Sequence, residues 1–503
     1  VERETLTDPQ IVLAAHRAWG NACTDALEGD FSFVIYDPAR HTAFAARDGV
    51  GAKPFYFVLD RDLFAAASSV AVLRAMLGPR LSVDVTWLAR FLANLNWAQD
   101  RAAFEPVAKL PPGHRLEVRA ETACGPERYF DFDTDAPETT GRDPVWVERY
   151  REAFERSVAQ RARTAYPVGA ECSGGLDSTS VVAELMRHLP RDPGSLHCFG
   201  TASMELEPDL IRSVAEHCGI RNLHVLTRQR RLLLDTAFHR ALAMLGHPPE
   251  HGQVLFMEPF LETAEGLGIR TMLSGYGGDE VATSPGSFLQ DELLARRAYV
   301  ALMREQRGPL PMRVLRVARR IWRGPRDPDE VQRGFLRTNL AASGLRAEFL
   351  AATGVEDQLY RWAVPEPTPV TISAIAARAP GFRLARAARL ESEALVGRSH
   401  GIEYRWPMLD RRLIAQVLAT PSIERRRVDM GRYLHRRAVT GRIPEAILWQ
   451  RYKDLGGFIG GRMNVEIVDP PAFSELPPIL RDILDQEALE RRTGRLREAE
   501  REE

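Results

Sequence analysis

The chain has 503 residues, 45% of them hydrophobic and 27% charged, with 67 basic side chains against 68 acidic ones. That length holds two or three domains at roughly 100–200 residues each, and the composition is that of an ordinary globular protein. A net charge of −1 gives no global field for nucleic acid, no apolar run reaches the ~18 residues of a spanning helix, and the charged start lacks a signal-peptide core. Five cysteines stand singly, without a CxxC pair, which argues against structural zinc or a disulfide scaffold and fits a cytoplasmic, reducing compartment.

In chain order, the pattern predicts a helix over 8–19 and short strands over 31–36, 42–46 and 54–58, with a glycine turn at 49–51. Pro111-Pro112-Gly113 marks another turn, followed by an alternating strand. Residues 131–144 are acidic, contain Pro and Gly and have no period, so a linker is expected there. Beyond it strands and helices alternate: helix 145–160, strand 167–172, helix 178–187, strand 196–200, helix 209–218, strand 222–226 and strand 271–273. Such alternation predicts a parallel sheet covered on both faces. Residues 285–345 read as arginine-rich helices with Val314, Val317 and Ile321 on one face, and the charged stretch from about 480 reads as a solvated or frayed tail.

Two glycine loops carry chemistry. Ser173-Gly174-Gly175-Leu176-Asp177-Ser178 joins a predicted strand to a predicted helix, where unpaired N–H groups and the positive end of the helix dipole attract an anion. Asp177 would repel a bare phosphate, so a magnesium-bridged polyphosphate suits the loop better, and no lysine follows to make it a Walker-type loop. The second loop, Ser274-Gly275-Tyr276-Gly277-Gly278-Asp279-Glu280, follows strand 271–273. Alone it reads equally as an ordinary turn. Asp177 and Asp279 as paired metal ligands would explain both loops together.

SGGLDS followed by SGYGGDE resembles the asparagine synthetase family, whose synthetase domain activates a carboxylate with ATP. GDFSFVIYD, AARDGVGAKPFYF and LPPGH resemble the later part of the class II glutamine amidotransferase domain that precedes it, and GIEYRWPMLD and GRIPEAILWQRYKDLGGF resemble its C-terminal signatures. The resemblance implies an α/β protein. An Ntn-type, β-rich, amidotransferase-like domain over 1–130 is expected to be incomplete and without the terminal cysteine of a glutaminase, since the chain starts at Val1. A linker over 131–144, a parallel-sheet synthetase domain of the ATP-pyrophosphatase type over 145–480 and a charged tail over 481–503 follow. It puts the ATP pyrophosphate on Ser173, Gly174, Gly175, Leu176, Asp177 and Ser178, nucleotide near Gly275, and Mg²⁺ on Asp177 and Asp279.

Lys453 matches the lysine that stabilises transition-state charge in that family, and lysine is scarce here, with three among 67 basic residues. The rest of the basic run 421–453 reads as a solvated or peptide-facing surface. Tyr276 stands where asparagine synthetases carry a glutamate; β-lactam synthetases carry a tyrosine there, and lasso peptide macrolactam synthetases (the cyclases) also vary it. The segment after GGDE is more like the lasso cyclases. Tyr276 would orient or deprotonate an amine with help from a carboxylate, for which Glu391 and Glu393 both qualify, whereas Glu403 and Arg405 read as a structural ion pair. The expected partners are a core peptide, a leader peptidase and a leader-recognition protein, with no nucleic acid and no integral membrane role. The rivals are a β-lactam- or asparagine-forming ligase and a catalytically silent homologue.

Overall fold

The computed structural model describes residues 6–95, 100–119, 123–135, 141–189, 193–202, 207–227, 232–363, 368–378, 387–451 and 472–491. Helix α1 (Asp8–Trp19) begins at Thr7, whose N–H and hydroxyl both donate to Gln10 Oε1 at 2.9 Å. Strands β1 (Ser32–Asp37), β2 (Thr42–Arg47), β3 (Tyr56–Asp60) and β4 (Leu63–Ala67) precede helices α2 (Val70–Leu77) and α3 (Val85–Leu92). After β5 (Ala108–Lys109), β6 (His114–Arg119) and β7 (Ala123–Arg128), the strands lie in two antiparallel sheets, ordered β1-β2-β6-β7 and β4-β3-β5. The third strand starts two residues later than its pattern predicts.

The second unit opens with α4 (Pro144–Arg161), whose first turn is capped by Asp143. Strand β8 (Val168–Glu171) leads to α5 (Leu176–His188), β9 (Leu196–Ala202), α6 (Glu207–Cys218), β10 (Asn222–Thr227), α7 (Leu232–Leu245), α8 (Gln253–Gly266) and β11 (Thr271–Leu273). A run of helices follows, among them α9 (Leu289–Ala295), α10 (Tyr299–Arg304), α11 (Leu310–Arg323) and α12 (Pro328–Ala342), before α13 (Ala387–Ser399) and β12 (Glu403–Arg405). The sheet is parallel throughout and ordered β10-β9-β8-β11-β12. The chain builds outward from β8 on one side and then returns to build β11 and β12 on the other. That reversal makes the gap above β8 and β11 a topological switch point, where the loops leaving two neighbouring strands diverge and a ligand can enter. Strand β11 is buried along its whole length because helices cover both faces, with Tyr150, Phe154 and Val158 of α4 and Val181, Val182 and Leu185 of α5 in the same core.

The two units share their interiors. Ala89, Ala93 and Leu95 of the first pack with Leu336 and Leu340 of α12 and with Ile483 and Leu484. The stretch expected to be a solvated tail from 480 thus begins with two buried residues, because Ile483 and Leu484 complete a core that α3 and α12 leave open. Residues 492–503 lie outside the described residues. A fully buried ion cluster also joins the units. Arg47 and Lys109 of the first meet Glu391 at 2.8 and 3.1 Å, Lys109 meets Glu250 at 2.7 Å, and the Tyr56 hydroxyl donates to Glu391 at 2.9 Å. Lys53 adds a pair to Glu403 at 2.7 Å, so two of the three lysines tie the units together.

Of the expected apolar face on 285–345, Val317 is buried while Val314 and Ile321 are exposed. Helix α11 lies at the edge and is covered on one side. Among the described residues, no helix is long and apolar enough to cross a membrane.

Candidate active site

Helix α5 starts two residues earlier than its pattern predicts, at Leu176, so Asp177 belongs to its first turn. Gly175 is the N-cap and offers no side-chain acceptor, which leaves first-turn N–H groups for a ligand. Gly174 turns the chain at φ +67°, and a Cβ there would sit 2.7 Å from Leu210 Cβ. Only glycine suits both demands. The hydroxyls of Ser173 and Ser178 lie 2.9 Å apart across the loop.

The second loop presses against the first. A Cβ on Gly275 would lie 2.6 Å from the Ser178 nitrogen, and one on Gly278 would lie 2.5 Å from Asp177 Cγ. The contact follows from β8 and β11 being hydrogen-bonded neighbours, whose first loop residues leave side by side. Past Gly277 the chain forms a single π-turn (Gly278–Ala282), the kind of irregularity often kept at functional sites.

Asp177 accepts a hydrogen bond from Thr283 Oγ1 at 2.9 Å and pairs with Arg432 at 3.4 Å, and Arg432 also pairs with Asp279. One guanidinium therefore bridges the two carboxylates expected to share a metal. Arg432 sits in the left-handed region at φ +58°, at the N-cap of α14 (Tyr433–Ala438). Such a conformation costs a non-glycine residue about 1–3 kcal/mol and persists where the surroundings over-determine it. His435 supplies part of that determination. It is buried between the Tyr150 hydroxyl at 2.7 Å and the Ser180 hydroxyl at 2.8 Å, fastening α14 to α4 and α5, and burial pushes its pKa down to about 4. The neutral imidazole serves as a hydrogen-bonding rivet.

Sequence reading placed Arg432 within a basic surface. The structure corrects this: Arg432 bridges the site, and Arg425 is buried, donating to the Ser373 hydroxyl at 2.6 Å and to carbonyls of the preceding helix. Lys453 lies outside the described residues.

Tyr276 forms the other side of the site. The Arg389 guanidinium lies over its ring, 4.0 Å from the centroid, and pairs with Glu393 at 2.5 Å. Trp406 Nε1 donates to Glu393 at 3.0 Å. Glu391 and Glu393 are two residues apart on α13, about 200° around its axis, so they cannot serve the same site. Glu393 faces Tyr276 through Arg389, whereas Glu391 is committed to Arg47, Lys109 and Tyr56. Glu403 and Arg405 form the expected ion pair, at 2.7 Å.

Glu171, the last residue of β8, was missed in the sequence. Ser274 Oγ donates to it at 2.5 Å and the Tyr404 hydroxyl at 3.4 Å. Burial and the nearby Glu393 raise its pKa to about 7, against the pull of Arg389. An acid closing an otherwise apolar parallel strand just before a glycine loop was the available signal. A raised carboxyl pKa means that stability is lost as pH climbs from the ordinary carboxylate range through about 7. Glu171→Gln is therefore expected to raise the melting temperature relative to the parent at pH 8 and to leave it nearly unchanged at pH 5. Equal effects at both pH values would contradict a proton held there.

A family profile described as asparagine synthase matches residues 149–499, and one described as a glutamine amidotransferase domain matches residues 1–130. A protein called Amidase chry2 from Gibberella zeae is 26% identical over 310 residues, covering 57% of this chain and 44% of that protein. A glutamine-hydrolysing asparagine synthetase from Asparagus officinalis is 28% identical over 291 residues, 55% of this chain and 43% of its own length. Another, asparagine synthetase 3 of Bacillus subtilis, is 26% identical over 198 residues, 39% of this chain and 32% of its own. The matched stretch thus spans less than half of each of these relatives. With the glycine loops at the switch point of a parallel sheet and a match over most of its length, this chain belongs to the asparagine synthase family, its synthase domain preceded by a domain of glutamine amidotransferase type.

Proposed function

We propose that the chain is an ATP-dependent amide ligase acting on a peptide: it adenylates a side-chain carboxylate, and the peptide's own N-terminal amine closes a macrolactam ring on it. The observation that carries the ligase reading is the meeting of Asp177, Asp279 and Arg432 beside the glycine-lined start of α5. Two carboxylates at a helix N-terminus oppose an anion unless a cation stands between them. Here Arg432 already stands between them as a cation, and the oxygen donors Asp177, Asp279 and Thr283 suit Mg²⁺. When bound, Mg²⁺ would offset charge developing on the phosphates.

A carboxylate is a poor electrophile, so one of its oxygens would attack the α-phosphorus of ATP as the bond to pyrophosphate breaks. Ser173, Ser178 and the first-turn N–H groups of α5 would hold the departing pyrophosphate. The peptide amine, with an ordinary pKa of about 8, would then attack the acyl carbon, expelling AMP and leaving a proton to be removed. Tyr276 would orient that amine, and Glu171, held near 7, could accept the proton at neutral pH, with Glu393 and Arg389 fixing the geometry. Holding both peptide ends in one cleft makes ring closure effectively unimolecular.

Tyr276 in place of a glutamate supports a peptide over free aspartate, as does the likeness of the following segment to lasso cyclases. The amidotransferase-type domain would act as scaffold and part of the peptide channel. A leader peptidase and a leader-recognition protein would supply the peptide in the cytoplasm. A second reading, asparagine formation from aspartate and ammonia, is supported by the asparagine synthetases among the relatives, 24–28% identical.

Pyrophosphate release from Mg-ATP separates the two readings. A peptide with N-terminal Gly and an internal Asp or Glu is expected to stimulate release and to lose one water by mass spectrometry. Release with aspartate and ammonia but not with peptide would replace the first reading by the second.

A further inference from the structure

Helix α11 departs from the rule that a surface helix turns its apolar stripe inward. Its one buried residue is Val317, which packs with Phe288, Leu289 and Leu302. Arg320 fastens the same side to the buried carboxylate of Asp291 at 3.0 Å. Leu310, Met312, Val314, Leu315, Ile321 and Trp322 are all exposed, Trp322 at 84% and Leu315 at 63% of full accessibility. At 100° per residue Leu315 and Trp322 point almost directly away from Val317, while Leu310, Val314 and Ile321 lie within about 60° of it, so the exposed apolar side chains run down one flank from the rim of the buried side to the outward side. Arg316, Arg319 and Arg323 line the other flank.

The charge of this segment is equally one-sided. Residues 306–326 contain seven arginines and no acid, in a chain whose net charge is −1. Arg307 pairs with Asp429, and Arg320 and Arg326 with Asp291. Arg313, Arg316, Arg319 and Arg323 have no carboxylate partner among the described residues; Arg313 and Arg316 donate to the carbonyls of Gly308 and Arg307. An outward apolar face with a tryptophan, bordered by arginines that have no carboxylate partner among the described residues, is the composition of a helix that lies in a bilayer interface. A nucleic acid backbone would engage the arginines and leave the six apolar side chains in water.

We propose that α11 docks this protein on an anionic lipid surface, with Leu315 and Trp322 entering the acyl boundary and Arg316, Arg319 and Arg323 pairing with lipid phosphates. This makes the protein peripheral to a membrane. The inference is independent of the substrate proposed above.

The test is co-sedimentation of the full chain with vesicles of phosphatidylcholine alone or mixed equally with phosphatidylglycerol. Partitioning is expected to be at least about tenfold stronger on the anionic vesicles, since each juxtaposed arginine contributes on the order of 1 kcal/mol, a factor of about five. It should weaken from about 0.1 to about 1 M salt as the Debye length falls from ~10 to ~3 Å. Leu315→Ser with Trp322→Ser should weaken it by at least about tenfold, because burying either side chain is worth that much. Neither change touches Val317 or the Asp291 clamp, so circular dichroism and melting temperature should stay at parental values. Brominated lipid should quench a fluorescence component that Trp322→Phe removes. Equal binding to both vesicle types, or full binding by the double variant, would overturn the proposal. So would an oligomer that the double variant disperses while lipid binding is absent, which would give the face to a second copy of the chain.

Discussion

Asp177→Asn is expected to lower ATP-dependent pyrophosphate release by about 10³-fold or more, the several kcal/mol that charge offset at a phosphoryl centre supplies. The substitution conserves volume and leaves the neutral acceptor that Thr283 needs, while removing the charge that Arg432 now balances. Fold stability should hardly change, because Arg432 keeps Asp279. Asp279→Asn should act in the same direction, and raising the magnesium concentration should recover part of its loss. Turnover within tenfold of the parent in both variants would remove the paired-carboxylate site and the ligase reading with it.

Glu391→Ala is expected to destabilise the protein by about 3–5 kcal/mol, the usual cost of deleting one partner from a buried ion cluster. Among the described residues it strands Arg47 without a carboxylate and leaves Lys109 with Glu250 alone. Although burial opposes it, Lys109 and Arg47 hold the Glu391 pKa down to about 2. The cluster therefore contributes its full stability above the ordinary carboxylate pKa of about 4.3 and loses it as pH falls towards 2. The parent should become less stable across that window, and the Ala variant should show a flatter profile. Urea and thermal unfolding at pH 3, 5 and 7 would measure it, read as the first transition because two units need not unfold together. A folded, parentally stable Glu391→Ala protein without ligase turnover would instead return Glu391 to the chemistry.

The same helix shows how far sequence reading reached. The family resemblance implied an acidic residue on α13 beside Tyr276, with Glu391 and Glu393 as equal candidates. Two residues of helix are more than half a turn, so the backbone sends them to opposite sides. Which side faces the glycine loops depends on what packs against each one. Lys109 and Arg47, distant in the chain, settle the direction of Glu391, and Arg389 under Tyr276 that of Glu393. Arg432 was hidden for a similar reason, since one arginine in a basic run looks like its neighbours until the fold sets it between two aspartates.

The glycine loops, the alternation of strand and helix, and the order of the family motifs were legible because each rests on chemistry within a few residues: steric freedom at glycine, helix termini and side-chain periodicity. They were enough for the α/β class, the family and the position of the two glycine loops after their strands. Sheet order, the buried ion cluster between the two units, the elevated pKa of Glu171 and the outward apolar face of α11 were decided by tertiary structure alone. Each depends on desolvation and on partners hundreds of residues away, as Arg47 and Glu391 are, and no local pattern records which surfaces the folded chain will cover and which it will leave open.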